Sequence, residues 1–253
     1  MAAADPDRIY TAALVVIGDE ILSGRTQDAN LAYLAKWLGL QGIRLKEARV
    51  VADDTAAIVD AVNALRAAHD YLFTTGGIGP THDDITVDAI AAAFGVEVVH
   101  HPDAVRVLTD YYGDRLTDAR LRMARVPAGA ELIANARTKA PGIRIGNVFI
   151  MAGVPAITQS MLEALDGQLP GGRPVLSATV AAWTAESRVA ATLAAVEKAH
   201  PGVQIGSYPF WRDGRTGANF VVRSVDRDLL TETVAALHAA LRAEGLEPVD
   251  GEL

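Results

Sequence analysis

Cysteine is missing from all 253 residues. Its absence excludes disulfides, thiolate nucleophiles, cysteine-ligated zinc and iron–sulfur clusters. Positive charge is in short supply: 23 Lys and Arg face 31 Asp and Glu, a formal net charge of −8. Nucleic-acid backbones are held by a basic face. Nothing here supplies one, so DNA and RNA are not expected as partners. A phosphorylated ligand would need local help from a few cations, backbone N–H groups or a metal ion. Aromatics are only 6%, and the abundant alanine suits closely packed helices more than an all-β sandwich. No unbroken apolar run approaches the ~20 residues that cross a bilayer. The opening, MAAADPDRIY, has no apolar stretch behind a basic start, so no secretory leader is expected. The expected location is the cytoplasm, with no membrane partner.

What is present is a core. Half the residues are apolar, which excludes general disorder, and the length suits one large domain or two small ones. YTAALVVIGDEI, from Tyr10, is rich in β-branched residues and ends at Gly18; it reads as a buried strand. DANLAYLAKWLGLQG carries Leu31, Leu34, Ala35 and Leu38 at helical spacing, with Asp28 to cap it and Gly39 or Gly42 to stop it. IRLKEARVV is a strand, DDTAAIVDAVNALRAAH a helix opened by Asp53 or Asp54, YLFTTGG a strand, and DDITVDAIAAAFG a helix closed by Gly95. Alternation of this kind is the signature of an open parallel sheet covered on both faces. The stretch 101–127 reads as mostly helical. AELIAN and GNVFIMAG read as strands around the loop ARTKAPGIRI, and PAITQSMLEALDG as a helix with Pro155 in its first turn. LPGGRP, Leu169 to Pro174, breaks regular structure and marks a domain boundary. Beyond it the pattern is βαββαβ, a ferredoxin-like α+β arrangement, whose strands offer an edge for self-association.

Ligands of open α/β sheets bind beyond the C-terminal ends of the strands, and three unusual stretches fall there. In TTGGIGPTHDD, Gly76, Gly77 and Gly79 let the backbone turn sharply against a ligand. N–H groups at a strand-to-helix junction attract phosphate. It is neither a Walker A loop nor a dinucleotide fingerprint, since no Gly-Lys-Ser/Thr follows and His82 stands where a third glycine is needed. Asp83 and Asp84 have two readings. They cap the next helix, with Thr81 and Asp84 as a capping box. Alternatively, since two acids would repel a phosphate, a divalent cation joins them to it. GDEILSGR supplies Asp19, Glu20, Ser23 and Arg25. It is either a solvated loop or the facing wall, with Asp19 or Glu20 opposite the paired acids and Arg25 on a phosphate. NARTKAPG offers Lys139, with Pro141 and Gly142 shaping the turn. His100 and His101 read as exposed loop residues without metal-ligand spacing.

Together, GDEILSGRTQDAN, TTGGIGPTHDDIT, KAPG and AGVP resemble the MoaB/Mog domain, also called the molybdopterin-binding domain. The resemblance spans residues 8–169 and is close to the N-terminal regions of competence/damage-inducible protein A and eukaryotic FAD synthase. Residues 174–253 resemble the small domain that follows it in both. It implies a three-layer α/β/α fold and a phosphorylated pterin or nucleotide as ligand. It also implies Mg²⁺-, Mn²⁺- or Co²⁺-dependent pyrophosphatase activity on ADP-ribose or FAD, and a homo-oligomer, dimer or trimer. Carried over residue by residue, Gly76, Gly77, Gly79, Pro80 and Thr81 form the phosphate loop. Asp83, Asp84 and Thr86 act at the metal and phosphates. Asp19, Glu20 and Asn30 complete the cleft. The expected metal ligands are Asp83 and Asp84, with Asp19 or Glu20; Arg25 and Lys139 are expected on phosphate oxygens. A non-catalytic molybdopterin-binding protein is the competing expectation. Two departures stand out: RTKAPG where many bacterial relatives have Gly-Thr-Ala-Pro-Gly, and Ile157 where a Glu is common, so no role for that acid carries over. Both place the chain nearer the FAD synthase branch. No adenylyl-transferase domain is present, so FAD synthesis is not expected.

Overall fold

The computed structural model describes residues 5–253, so part of the stretch read for a leader lies outside the described residues. The chain divides into two compact units, Met1–Gly172 and Arg173–Leu253.

The first unit is built on a mixed sheet. Its strands are β1 (Tyr10–Ile17), β2 (Ile43–Val51), β3 (Tyr71–Thr75), β4 (Val98–His100), β5 (Arg125–Pro127), β6 (Glu131–Ile133), β7 (Gly142–Ile145) and β8 (Val148–Met151). Its helices are α1 (Asp19–Leu22), α2 (Asn30–Leu40), α3 (Thr55–Ala68), α4 (Thr86–Phe94), α5 (Pro102–Tyr112), α6 (Asp118–Leu121) and α7 (Pro155–Glu163). The sheet order is β2-β1-β3-β8-β7-β6. β1, β2, β3 and β8 run parallel, while β7 and β6 are antiparallel additions.

The layering follows from strand periodicity. Successive side chains point to opposite faces, and a parallel strand covered on both sides is apolar throughout. In β1, Ala12, Leu14 and Val16 join Leu34, Trp37 and Leu38 of α2 and Met161 and Leu162 of α7. Ala13, Val15 and Ile17 join Ile58, Val62 and Leu65 of α3 and Val87 and Ile90 of α4. β3 and β8 divide the same way, Phe73, Phe149 and Met151 to the first face, Leu72, Val148 and Ile150 to the second. The result is the expected α/β/α sandwich. α3 opens with the Asp54 carboxylate accepting from Ala57 N at 2.9 Å, a cap worth about 1 kcal/mol.

Two elements depart from the sequence reading, and the stretch 101–127, mostly helical as expected, also carries strand at its end. The stretch 101–127 is bracketed by a two-stranded ribbon, in which Val99 pairs with Val126, and it carries a small core of Ala104, Leu108 and Ala124. GIRI, read as loop, is the strand β7, joined to β8 by Gly146 and Asn147 with Gly146 at φ 57°. A two-residue Gly-Asn link is a hairpin signal, and it was there to be used. The helix expected from Asp83 begins at Thr86.

The second unit comprises β9 (Leu176–Ala182), α8 (Glu186–Ala199), β10 (Gln204–Arg212), β11 (Arg215–Ser224), α9 (Arg227–Ala243) and β12 (Val249–Asp250). Its sheet is antiparallel in the order β10-β11-β9-β12, the split βαβ pattern. Val180, Phe220, Leu237 and Leu241 are among the residues of its own core. Among the described residues no helix is long and apolar enough to cross a membrane.

Candidate functional site

β1 connects through α2 to β2 on one side and, through β2 and α3, back to β3 on the other side of β1. The connections therefore diverge between β1 and β3, and a crevice opens at their C-terminal ends. That crevice is where doubly wound sheets place ligands. Its walls are the loop after β1, holding Asp19 to Asn30, and the loop after β3, holding Gly76 to Ile85. The third stretch arrives by a different route. β7 is antiparallel to β8 and β6 to β7, so the turn 134–141 lies at the edge where β8 ends.

The glycines are there because backbone crosses backbone. Gly76 has φ 103°, and a Cβ on it would overlap the Ile17 carbonyl at the end of β1. Gly77, at φ 66°, is closed by Thr86: a Cβ there would overlap the Thr86 hydroxyl. Thr86 is fully buried. Its N donates to Gly77 O at 3.0 Å and its Oγ1 to Gly76 O at 2.9 Å. The residue therefore locks the loop onto α4. From the β8 side, Gly153 sits so that its Cβ would lie 3.3 Å from Gly76 Cα. The buried Asn30 donates through Nδ2 to Gly153 O at 2.8 Å.

The paired acids do not cap α4. Its N-cap is Ile85, with no side-chain cap. The Thr81–Asp84 couple does form, Asp84 Oδ2 accepting from Thr81 N at 2.8 Å and from Thr81 Oγ1 at 2.5 Å. It closes a turn just ahead of the helix and seats Asp84 below Gly79, whose Cβ would lie 2.7 Å from Asp84 Oδ2. Asp83 is exposed beside it. The nearby Thr81 hydroxyl and its own backbone N–H hold the Asp83 carboxyl below the usual carboxylate range. The hydroxyl has a single hydrogen, which the geometry gives to Asp84. Pro80 is exposed in the same turn.

The facing wall is arranged differently from expectation. Asp19 turns toward the loop after β2: its N donates to Asp53 Oδ2 at 2.9 Å and its Oδ1 accepts from Asp53 N at 3.4 Å. The Glu20 carboxylate folds over Gly18, whose Cβ would lie 2.5 Å from Glu20 Oε2. Ser23 donates to Glu20 O at 3.3 Å, and Arg25 is exposed. On the third loop the buried Asn135 is the hub, donating to Thr138 Oγ1 at 2.7 Å and Ala140 O at 2.9 Å and accepting from Arg137 N at 3.0 Å. This holds the exposed Lys139 at φ 64°, a backbone region that costs a non-glycine residue about 1–2 kcal/mol. Pro141 and Gly142 are buried. Ile157, in place of a common Glu, packs on the core beneath α2 and α7.

Among the described residues no three His, Cys, Asp or Glu side chains converge to hold a metal by themselves. The donor set instead suits a hard divalent ion held by one or two carboxylates and completed by phosphate oxygens, the usual manner of Mg²⁺. Asp83, exposed beside the Gly-rich loop, fits that role.

A small open recess lies beside the Gly-rich loop, lined by Ile78, Gly79, Asp84, Val87, Pro141 and Ile143, and by Arg122, Met123 and Arg125. The last three were not singled out in the sequence. Their signal was faint, the three arginines Arg120, Arg122 and Arg125 in an otherwise apolar RLRMARVP. Arg125 anchors α4, with Nη2 2.5 Å from Asp88 Oδ1.

Residues 13–170 match the family model described as a probable molybdopterin binding domain, well over half of the chain. The chain belongs to the molybdopterin-binding domain family. Residues 174–250 further match the model described as the middle domain of FAD synthase. It is 35% identical over 211 residues to a CinA-like protein of Desulfosudis oleivorans, covering 77% of this chain and 51% of that one. It is 31% identical over 187 residues to a probable FAD synthase of Caenorhabditis briggsae, covering 65% of this chain and 36% of that one. The chain thus spans about half or less of these two relatives. A crystal structure of the protein CinA, described as of unknown function, from Thermoplasma acidophilum superposes with TM-score 0.58 at 33% identity, over 62% of this chain and 98% of that one.

Proposed function

We propose that this molybdopterin-binding domain protein holds a phosphorylated nucleotide or pterin in the crevice between β1 and β3 and hydrolyses the diphosphate of ADP-ribose or FAD. The observation that carries the reading is the juxtaposition in one loop of a backbone turn locked by Thr86 and an exposed carboxylate, Asp83. Kinship with a CinA-like protein and with a probable FAD synthase supports it, and the latter name points to a flavin dinucleotide.

A divalent ion, Mg²⁺, Mn²⁺ or Co²⁺, would be held by Asp83 and Asp84; when bound it neutralises the diphosphate and lowers the pKa of a water. The chain's own work is positional. Backbone N–H groups of Gly77, Ile78 and Gly79 and the side chains of Lys139 and Arg25 stabilise charge on phosphoryl oxygens. Thr86 and Asn30 fix the loops that present those groups. Attack of water on one phosphorus breaks the P–O–P bridge and yields AMP with ribose 5-phosphate, or AMP with FMN. Asp19, bonded to Asp53, and Glu20, folded over Gly18, line the opposite wall and act on the ligand only if their side chains turn from these positions.

The test is to incubate the protein with ADP-ribose and with FAD, with and without Mn²⁺, and to separate the products by chromatography. AMP appearing only with metal supports the reading. The family description favours a second reading, in which the loop holds the single phosphate of molybdopterin without cleaving it; tight pterin binding and no AMP would establish that one instead.

A further inference from the structure

Arg122 carries a buried donor that no described residue accepts from. It begins a single turn of 3-10 helix, Arg122–Ala124, and its side chain lines the recess shared with Gly79 and Asp84. Its Nε is buried and has no hydrogen-bond partner among the described residues. The arginines near it in sequence and space are committed. Arg125 pairs with Asp88. Arg120 donates to the Arg115 carbonyl and lies over the Tyr112 ring. Asp84 shares the recess, but its Oδ2 is already taken by Thr81. A buried guanidinium nitrogen without an acceptor is costly, and such orphans mark places where something else supplies the missing partner.

We infer that Arg122 is a ligand-binding residue that takes a phosphate oxygen, and that it makes the site selective for a diphosphate. This rests on the proposed phosphorylated ligand. Gly79 belongs to the loop that presents its amides to one phosphate and also forms the near wall of the recess holding Arg122. Two anion-holding devices side by side match two linked phosphates, which a monophosphate cannot span. The guanidinium fork suits the task because it offers paired donors in one plane. The apolar side chains of Val87, Met123 and Ile143 line the same recess and lower the local polarity, which strengthens the contact.

The probes are α,β-methylene-ADP, a diphosphate whose bridging carbon resists hydrolysis, and AMP, each titrated calorimetrically with Mn²⁺ present. Arg122→Met keeps most of the stem and removes the charge. It is expected to weaken α,β-methylene-ADP by about 10- to 100-fold, the range for a hydrogen bond to a charged group, and to change AMP by no more than about 3-fold. Its thermal midpoint should stay level or rise, because an unsatisfied buried group has been removed. Arg122→Lys should fall between the two. Equal binding of α,β-methylene-ADP by Arg122→Met and wild type overturns the inference. So does a matched loss of both probes with a lowered midpoint, the mark of a structural role. Wild-type protein that binds neither probe refutes the phosphorylated-ligand reading itself, and the inference falls with it.

Discussion

Gly76→Ala is the sharpest probe of how the site is built. Two penalties act at that position. The first is conformational: φ is 103°, and an L-residue held at positive φ costs about 1–2 kcal/mol. The second is steric. The new methyl would overlap the Ile17 carbonyl, and Ile17 ends a central strand paired to both β2 and β3. That oxygen cannot retreat without parting strands, so overpacking adds about 1–3 kcal/mol. The sum is about 3 kcal/mol, worth roughly 6–12 °C in the midpoint of a domain this size. Gly24 provides the internal control. It also has positive φ, 72°, but nothing lies within 4 Å of an added Cβ, so Gly24→Ala should show the conformational penalty alone. Urea unfolding of both variants with wild type gives the comparison directly. The reasoning is refuted if Gly76→Ala costs no more than Gly24→Ala, for then the two loops do not cross as closely as described.

Asp83→Asn should abolish metal-dependent AMP release while leaving stability within about 1 kcal/mol, since the side chain is exposed; retained turnover would remove Asp83 from the proposed site. Asp84→Asn should differ by also losing stability, about 1–2 kcal/mol, because its Oδ2 accepts two bonds from Thr81; denaturation midpoints separate the variants. Thr86→Val leaves the buried Gly76 carbonyl without the hydroxyl's hydrogen bond, for a loss of about 1–3 kcal/mol, and should weaken ligand binding because the loop is freed; unchanged affinity would show that Thr86 does not shape the site. Burial pushes the Tyr71 phenol up to about 12, so the unfolded chain loses that proton first as pH rises. Stability from this group is intact below about pH 10 and falls between about pH 10 and 12; Tyr71→Phe should flatten that part of the melting curve measured against pH.

Much of the architecture was legible in the chain itself. β1, β3 and β8 announce themselves by continuous apolar runs, and α2, α3 and α4 by residues three and four apart, because periodicity is a local property that burial imprints on neighbouring positions. The glycines of TTGGIG were legible for the same reason: positive φ is a demand placed on one residue at a time. Proximity was a different matter. Asp19 and the paired acids follow adjacent strands, yet Asp19 bonds to Asp53. Lys139 reaches the ligand edge only because β7 doubles back against β8. Arg122 joins the recess through a 3-10 turn that carries no periodic signal. Strand order and chain reversal decide which loops share an edge, and the unpaired donor that marks Arg122 exists only once the surrounding side chains have chosen their partners.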